Sequence, residues 1–171
     1  MRWIVALLAS SWLSIAYSNT IDAPEVVECA PIQASLTKGE TLMVYEGLPH
    51  QTFEKELLEK ELKRQDVKKI SSFGFYTPAT KVESPEKLKK LLSSASSLIK
   101  FRGEKRCGGF HPDFAVSWTT DDVTRHALIC FNCEEVMFLE AEKTLRYDLS
   151  PDVKKKLSEL LDGYAAKRPK K

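Results

Sequence analysis

What this chain lacks narrows its class before any motif is read. Tryptophan all but disappears beyond the first eighteen residues, leaving Trp118 alone. Histidine occurs three times in 171 residues, as His50, His111 and His126, so any imidazole chemistry must come from these. No apolar run reaches the ~20 residues that a membrane-spanning helix needs. Neither charge is in marked excess: 26 Lys and Arg against 24 Asp and Glu leave a formal +2. That balance gives no electrostatic footprint for nucleic acid or for an acidic membrane surface. Gly-rich phosphate loops, a serine nucleophile elbow and a His-Glu-x-x-His helix are all missing, and so is any internal repeat. These absences exclude the commonest nucleotide-binding, hydrolase and zinc-protease layouts and leave the enzyme question leaning to no.

The front of the chain has the layout of an export signal. Arg2 precedes an apolar run over residues 4–16 broken only by serines, and Ala16-Tyr17-Ser18 places small residues where signal peptidase reads them. Residues 1–18 are therefore expected to be cleaved after Ser18, giving a secreted or periplasmic protein with no transmembrane segment after cleavage. No cysteine sits at that junction, which argues against a lipid anchor. The remainder is one domain's worth of chain, long enough to bury about two-thirds of its unfolded surface.

Residues 19–38 hold Pro24 and Pro31 without a sustained hydrophobic period, and read as an extended lead-in carrying Cys29. The single domain spans residues 39–166, and residues 167–171 form a basic tail expected to be disordered. Within the domain, residues 41–45 read as a buried strand that ends in a Gly47–Pro49 turn. A helix is expected over residues 52–64, with Phe53, Leu57, Leu58 and Leu62 as its stripe. One strand is expected over residues 67–76. Ser84 and Pro85 open a second helix. Further strands centre on residues 136–139 and 145–149. Ser150-Pro151 starts a third helix with Val153, Leu157, Leu160, Leu161 and Tyr164 on one side. The order implies an α+β class: a mainly antiparallel sheet with about three helices packed on it.

Residues 114–118 and 123–131 read as a hairpin. Its expected register sets Trp118 opposite Val123, His126 opposite Ala115 and His111 opposite Cys130. Side-chain alternation gathers Phe114, Val116, Trp118, Val123, Ala127, Ile129 and Phe131 on a core face, with Arg125 among them in need of a partner. His126 then lies about 13 Å from His111, too far to share a metal with it. His50 reads as a solvated turn residue.

Four cysteines survive signal cleavage: Cys29, Cys107, Cys130 and Cys133. An even count in an exported chain points to disulfides. A glycine-assisted bulge at Gly108-Gly109 would set Cys107 against Cys133 at bonding range. In an extended strand Cys130 and Cys133 would be roughly 10 Å apart, and they can meet only if Phe131-Asn132 turns. Four readings stay open. Cys107–Cys133 is a structural disulfide, worth about 3 to 4 kcal/mol by chain entropy. Cys107, His111, Cys130 and Cys133 form a closed zinc site. Cys130 and Cys133 act as a redox dithiol. Cys130 is a nucleophile with His111 as base and Asp113 orienting it.

Three segments carry a resemblance: Tyr45-Glu46-Gly47-Leu48-Pro49-His50, the run from Phe101 to Lys105 leading into Cys107-Gly108-Gly109-Phe110-His111-Pro112-Asp113, and Cys130-Phe131-Asn132-Cys133. In these the chain resembles a family of short secreted bacterial proteins with no assigned activity. The resemblance implies a single α+β unit and brings no substrate, cofactor or catalytic residue. Where that family carries glycine between the last two cysteines, this chain has Asn132, which argues against a tight metal knuckle. The expectation carried forward is an exported, non-catalytic binding or structural module, without cofactor and with a protein or small-ligand partner. Zinc or dithiol chemistry at the cysteine cluster is the alternative.

Overall fold

The computed structural model describes residues 25–64 and 66–169. The expected export signal lies outside the described residues. The chain runs α1 (Glu25–Lys38), β1 (Leu42–Glu46), α2 (Lys55–Glu61), β2 (Val67–Ile70), β3 (Phe73–Tyr76), β4 (Thr80–Lys81) and α3 (Glu86–Ser93). It continues with β5 (Leu98–Lys100), β6 (Phe114–Thr120), β7 (Val123–Cys130), β8 (Glu135–Glu140), β9 (Lys143–Leu149) and α4 (Pro151–Asp162). The α+β class is as the sequence implies. Seven strands form one antiparallel sheet in the order β4-β1-β6-β7-β8-β9-β5, and β2 and β3 form a separate hairpin. Among the described residues no helix is long and apolar enough to cross a membrane.

Sequence pattern sets which face each element buries. In α4, Val153, Leu157 and Leu161 recur every four residues and are all buried. Ser150 is extended at the N-cap and Pro151 follows it, where its missing N–H costs nothing. Leu88 and Leu92 do the same for α3. Cys29, Ile32 and Leu36, spaced three and then four apart, are buried on α1, and Trp118 ties that helix down by donating its indole N–H to Ser35 at 3.0 Å. These three helices cover one sheet face, whose core comprises Phe114, Val116, Trp118, Ala127, Ile129, Val136, Phe138 and their neighbours. The β2–β3 hairpin covers part of the other face, where Ile70 and Phe75 pack on Ala115, Leu128 and Leu139.

Several sequence expectations are corrected. The extended lead-in is a helix from Glu25, with Pro31 inside it; its apolar spacing outweighs one lost backbone hydrogen bond. The single strand over residues 67–76 is two strands folded back at Ser71, which takes φ 54°. In the main hairpin Trp118 lies opposite Arg125, not Val123, and His126 lies opposite Ser117. The shift is two residues because Asp121 and Asp122, at φ 52° and 59°, make the whole turn. An even shift leaves every side chain on its expected face. Arg125 finds its partners in Glu140 and Thr120. Phe53 and Leu62, expected on the buried stripe of α2, are exposed, and Glu61 is buried there instead.

Candidate cleft beside the disulfide

The sheet brings the three resembling segments to one end. β1 stops at Glu46, β6 begins at Phe114, β7 stops at Cys130 and β8 begins at Glu135, and these residues neighbour one another across the sheet. The loops leaving those points, with Arg168 from beyond α4, line an open cleft of about 690 Å³ whose other residues are His50, Phe53, Glu54, Lys105, Arg106, Cys107, His111, Asp113 and Asn132. Gly47 locks the loop after β1 to the segment just before β6. Its N–H donates to the Asp113 carbonyl at 2.7 Å, and a Cβ there would stand 2.1 Å from the Pro112 carbonyl oxygen.

Cys107 and Cys133 form the expected disulfide, with Cα atoms 5.6 Å apart. The route differs from the one expected. Cys107 lies in a turn ahead of β6, not in a strand, and Gly108 and Gly109 take φ 82° and 92° to bend the chain there. Asn132 steadies the pair by donating its side-chain amide to the Cys107 carbonyl at 3.2 Å. The disulfide uses two of the four donors of the expected zinc site. Among the described residues no group of three or more His, Cys, Asp or Glu side chains is placed to hold a metal.

Cys130 is a free, buried thiol packed against both halves of that disulfide. Phe131 and Asn132 do turn, and the turn closes with the Glu134 N–H on the Phe131 carbonyl at 3.3 Å. The same turn sets the Cys133 N–H 3.3 Å from the Cys130 sulfur. The His111 backbone N–H faces that sulfur as well. Burial nevertheless pushes the Cys130 thiol pKa up, with the Asp113 and Glu135 carboxylates acting in the same direction. The proposed redox dithiol is thus not formed as such, because Cys133 is bonded to Cys107.

The expected Cys130, His111 and Asp113 triad is not assembled either. His111 commits its Nε2 to the Pro49 carbonyl at 3.2 Å, and a carbonyl only accepts, so that nitrogen carries the proton. The Asp113 carboxylate accepts the Phe131 N–H at 2.7 Å.

His50 is the residue that sequence reasoning placed wrongly. It is 8% exposed, and its ring stacks on His111 at 4.6 Å between centroids and on Phe53 at 4.5 Å. Its Nδ1 accepts the Thr52 N–H at 3.0 Å, so the neutral ring carries its proton on Nε2. Among the described residues that Nε2 is buried with no hydrogen-bond partner. Burial first, then the neighbouring His111, lower the His50 pKa; burial also lowers that of His111. Burial raises the pKa of Asp113. The local signal for His50 was the preceding Leu48-Pro49, both buried, which draw the histidine inward with them.

Two cationic struts frame the cleft. Lys105 donates to Asp148 at 2.6 Å and to Glu135 at 2.8 Å. At the other wall the segment after α4 is anchored: the Ala166 and Lys167 N–H groups donate to the Glu46 carboxylate at 3.0 and 2.6 Å, and Arg168 pairs with Glu54. Arg168, read from sequence as part of a solvated tail, thus lines the cleft, and Lys167 before it is anchored on Glu46 and the Pro78 carbonyl. Compared with known families, curated proteins and solved structures, the chain matches none.

Proposed function

We propose that this is an exported, non-catalytic binding module that takes the acidic group of a small ligand, a carboxylate or a phosphate, into the cleft beside Cys107–Cys133. The observation that carries the reading is the orphaned N–H of His50. A buried donor without an acceptor costs about 1 to 3 kcal/mol. A ligand oxygen reaching it removes that cost on binding. Arg106 lines the same cleft beside Lys105 and Arg168, whose charges are shared with Glu135, Asp148 and Glu54. Phe53 covers His50 yet is 63% exposed, so its ring swings outward with little loss of burial. The disulfide supports the export half of the reading, because such bonds persist in oxidising compartments.

Inorganic phosphate and acetate are the probes. Titration of either, followed by the ring proton signals of the three histidines, is expected to shift His50 and His111 saturably and to leave His126 unmoved. His50→Gln should abolish saturation while the far-ultraviolet spectrum is unchanged. Histidine signals that stay fixed, or that drift equally for all three rings, overturn the binding reading. Fractionation of a producing bacterium, with intact mass, tests export. Mature protein that starts at Asn19 and lies outside the cytoplasm is expected, and full-length cytoplasmic protein overturns that half.

A further inference from the structure

We propose that Cys130, Cys133 and Cys107 form an internal thiol–disulfide exchange site whose external substrate class is a small molecule bearing a disulfide. The placement of three sulfurs carries the inference. Cys130 is a free thiol in one packed cluster with a bonded pair, and the turn over residues 131–134 folds its sulfur against the backbone of Cys133. The spacing that an extended strand would hold apart is therefore closed. Two backbone N–H groups, of His111 and Cys133, face the Cys130 sulfur and stabilise it as it gains negative charge.

The exchange balances without any added oxidant. The Cys130 thiol loses its proton and its sulfur attacks Sγ of Cys133. A Cys130–Cys133 bond forms, the Cys133–Cys107 bond breaks, and Cys107 leaves as a thiolate that takes up the proton. Cys107 lines the cleft, so the liberated sulfur is the one of the three that a solute meets. It attacks a disulfide R–S–S–R, forms Cys107–S–S–R and releases R–S⁻. The oxidation state of the protein and solute together is unchanged. Direct attack by Cys130 on a solute is blocked by its burial at 1% exposure. Cys29 cannot take part: it lies in the core on the helix-covered face, its thiol pushed up to about 12 by burial.

The groups that face Cys130 set the pH dependence. Asp113 and Glu135 oppose its ionisation and burial adds to them, so exchange is slow at neutral pH and quickens as pH rises toward and beyond the ordinary thiol range. This goes beyond the ligand-binding reading and does not depend on it.

Glutathione disulfide is the probe, applied to the folded, oxidised protein without denaturant, with acid quench and peptide mapping by mass spectrometry. Glutathione attached to Cys107 together with a Cys130–Cys133 bond is expected, at a rate that rises at least several-fold from neutral to mildly alkaline pH. Cys130→Ser should keep Cys107–Cys133 and take up no glutathione. Cys107→Ser, if it folds, should oxidise to a Cys130–Cys133 bond. Wild-type protein that keeps Cys107–Cys133 intact throughout, or that carries glutathione on Cys130, overturns the proposal without recourse to any variant.

Discussion

Glu135 and Asp148 stand directly opposite each other on β8 and β9, at 0% and 1% exposure. Like charges in that relation repel at short range. Lys105 lies between them and binds one oxygen of each, while Arg146 takes the second oxygen of Glu135 at 2.6 Å and Arg102 the second of Asp148 at 3.0 Å. Phe101 lies under both Lys105 and Arg146. Phe101, Arg102 and Lys105, close together in one short segment, form the clamp that fastens the loop before Cys107 onto the sheet.

Lys105→Met should therefore cost about 3 kcal/mol, since it leaves two facing buried carboxylates with one shared cation fewer. Burial opposes the charge of Lys105, but Asp148 and Glu135 outweigh it and hold the pKa of the amine above its ordinary value. Urea unfolding measures the loss. Adding Glu135→Gln and Asp148→Asn to Lys105→Met should return most of the lost stability, because the repulsion is removed with the cation. A triple variant as unstable as the single one would show that the clamp acts through packing and not through charge.

Removing the disulfide tests the other fastening of the same loop. Cys107 and Cys133 are 26 residues apart. Chain entropy for a loop of that size gives about 3.5 kcal/mol. Cys107→Ala with Cys133→Ala should lower the urea midpoint accordingly, while the circular dichroism of the sheet persists, since β6 to β9 do not depend on the loop for their pairing. A change under about 1 kcal/mol would mean that residual structure in the unfolded chain already restrains this loop.

The three histidines make stability pH-dependent with a definite sign. Burial is the leading cause that holds His50, His111 and His126 below the ordinary value of 6.5, with Lys68 adding to it at His126. The unfolded chain therefore binds protons that the folded chain refuses. Stability from the neutral rings is complete above 6.5 and is lost as pH falls from there toward their lowered folded values. Asp113 has the opposite sign. Its folded pKa is raised from 3.8, so its contribution is present below 3.8 and is lost as pH rises through the raised value. Urea midpoints should fall steadily from about pH 7.5 to about pH 5.5, the range in which imidazoles titrate. His50→Gln should flatten that slope in part. A midpoint that rises over the same range would contradict the buried neutral rings.

Much of this was legible from the chain, for reasons that particular residues show. The faces of β6 and β7 followed from alternation and survived an error in register, because a two-residue slip preserves parity. The slip itself came from Asp121-Asp122. Without glycine the pair does not announce a two-residue turn, and the sequence alone centres the loop on Thr120 and Asp121. Cys107–Cys133 was foreseen from spacing, although its path through a glycine turn was not. α1 was hidden by Pro31, since one proline outweighs a three-residue apolar stripe when only the sequence is read. The cleft was invisible for a different reason. His50 and His111 are more than sixty residues apart, and only the shared sheet end brings their rings together.

Gly47 is the point at which that sheet end is most sensitive. An alanine Cβ would meet backbone oxygen at 2.1 Å on Pro112 and 3.0 Å on Asp113, and neither is a flexible side-chain tip. Gly47→Ala should force β1 and the start of β6 apart, weaken the Gly47 to Asp113 hydrogen bond and cost about 2 to 3 kcal/mol. Gly163→Ala has open space around it and is the control, expected to change stability by less than about 0.5 kcal/mol. Histidine ring signals should report the local effect: those of His50 and His111 shift in Gly47→Ala, and those of His126 stay.

The Asp121-Asp122 turn offers a change in the stabilising direction. Both residues hold positive φ, where a Cβ is strained and glycine is not, and their two carboxylates are adjacent at an exposed tip. Asp121→Asn with Asp122→Gly supplies the pair that a two-residue hairpin turn prefers and removes the repulsion. The double variant should gain about 0.5 to 1 kcal/mol, seen as a higher urea midpoint at unchanged slope. The gain should shrink in high salt by the share that repulsion contributes, and the share that survives measures backbone strain alone. If the variant were less stable than the parent at every salt concentration, the two-residue turn would be refuted, and with it the pairing of Trp118 with Arg125 that the turn dictates.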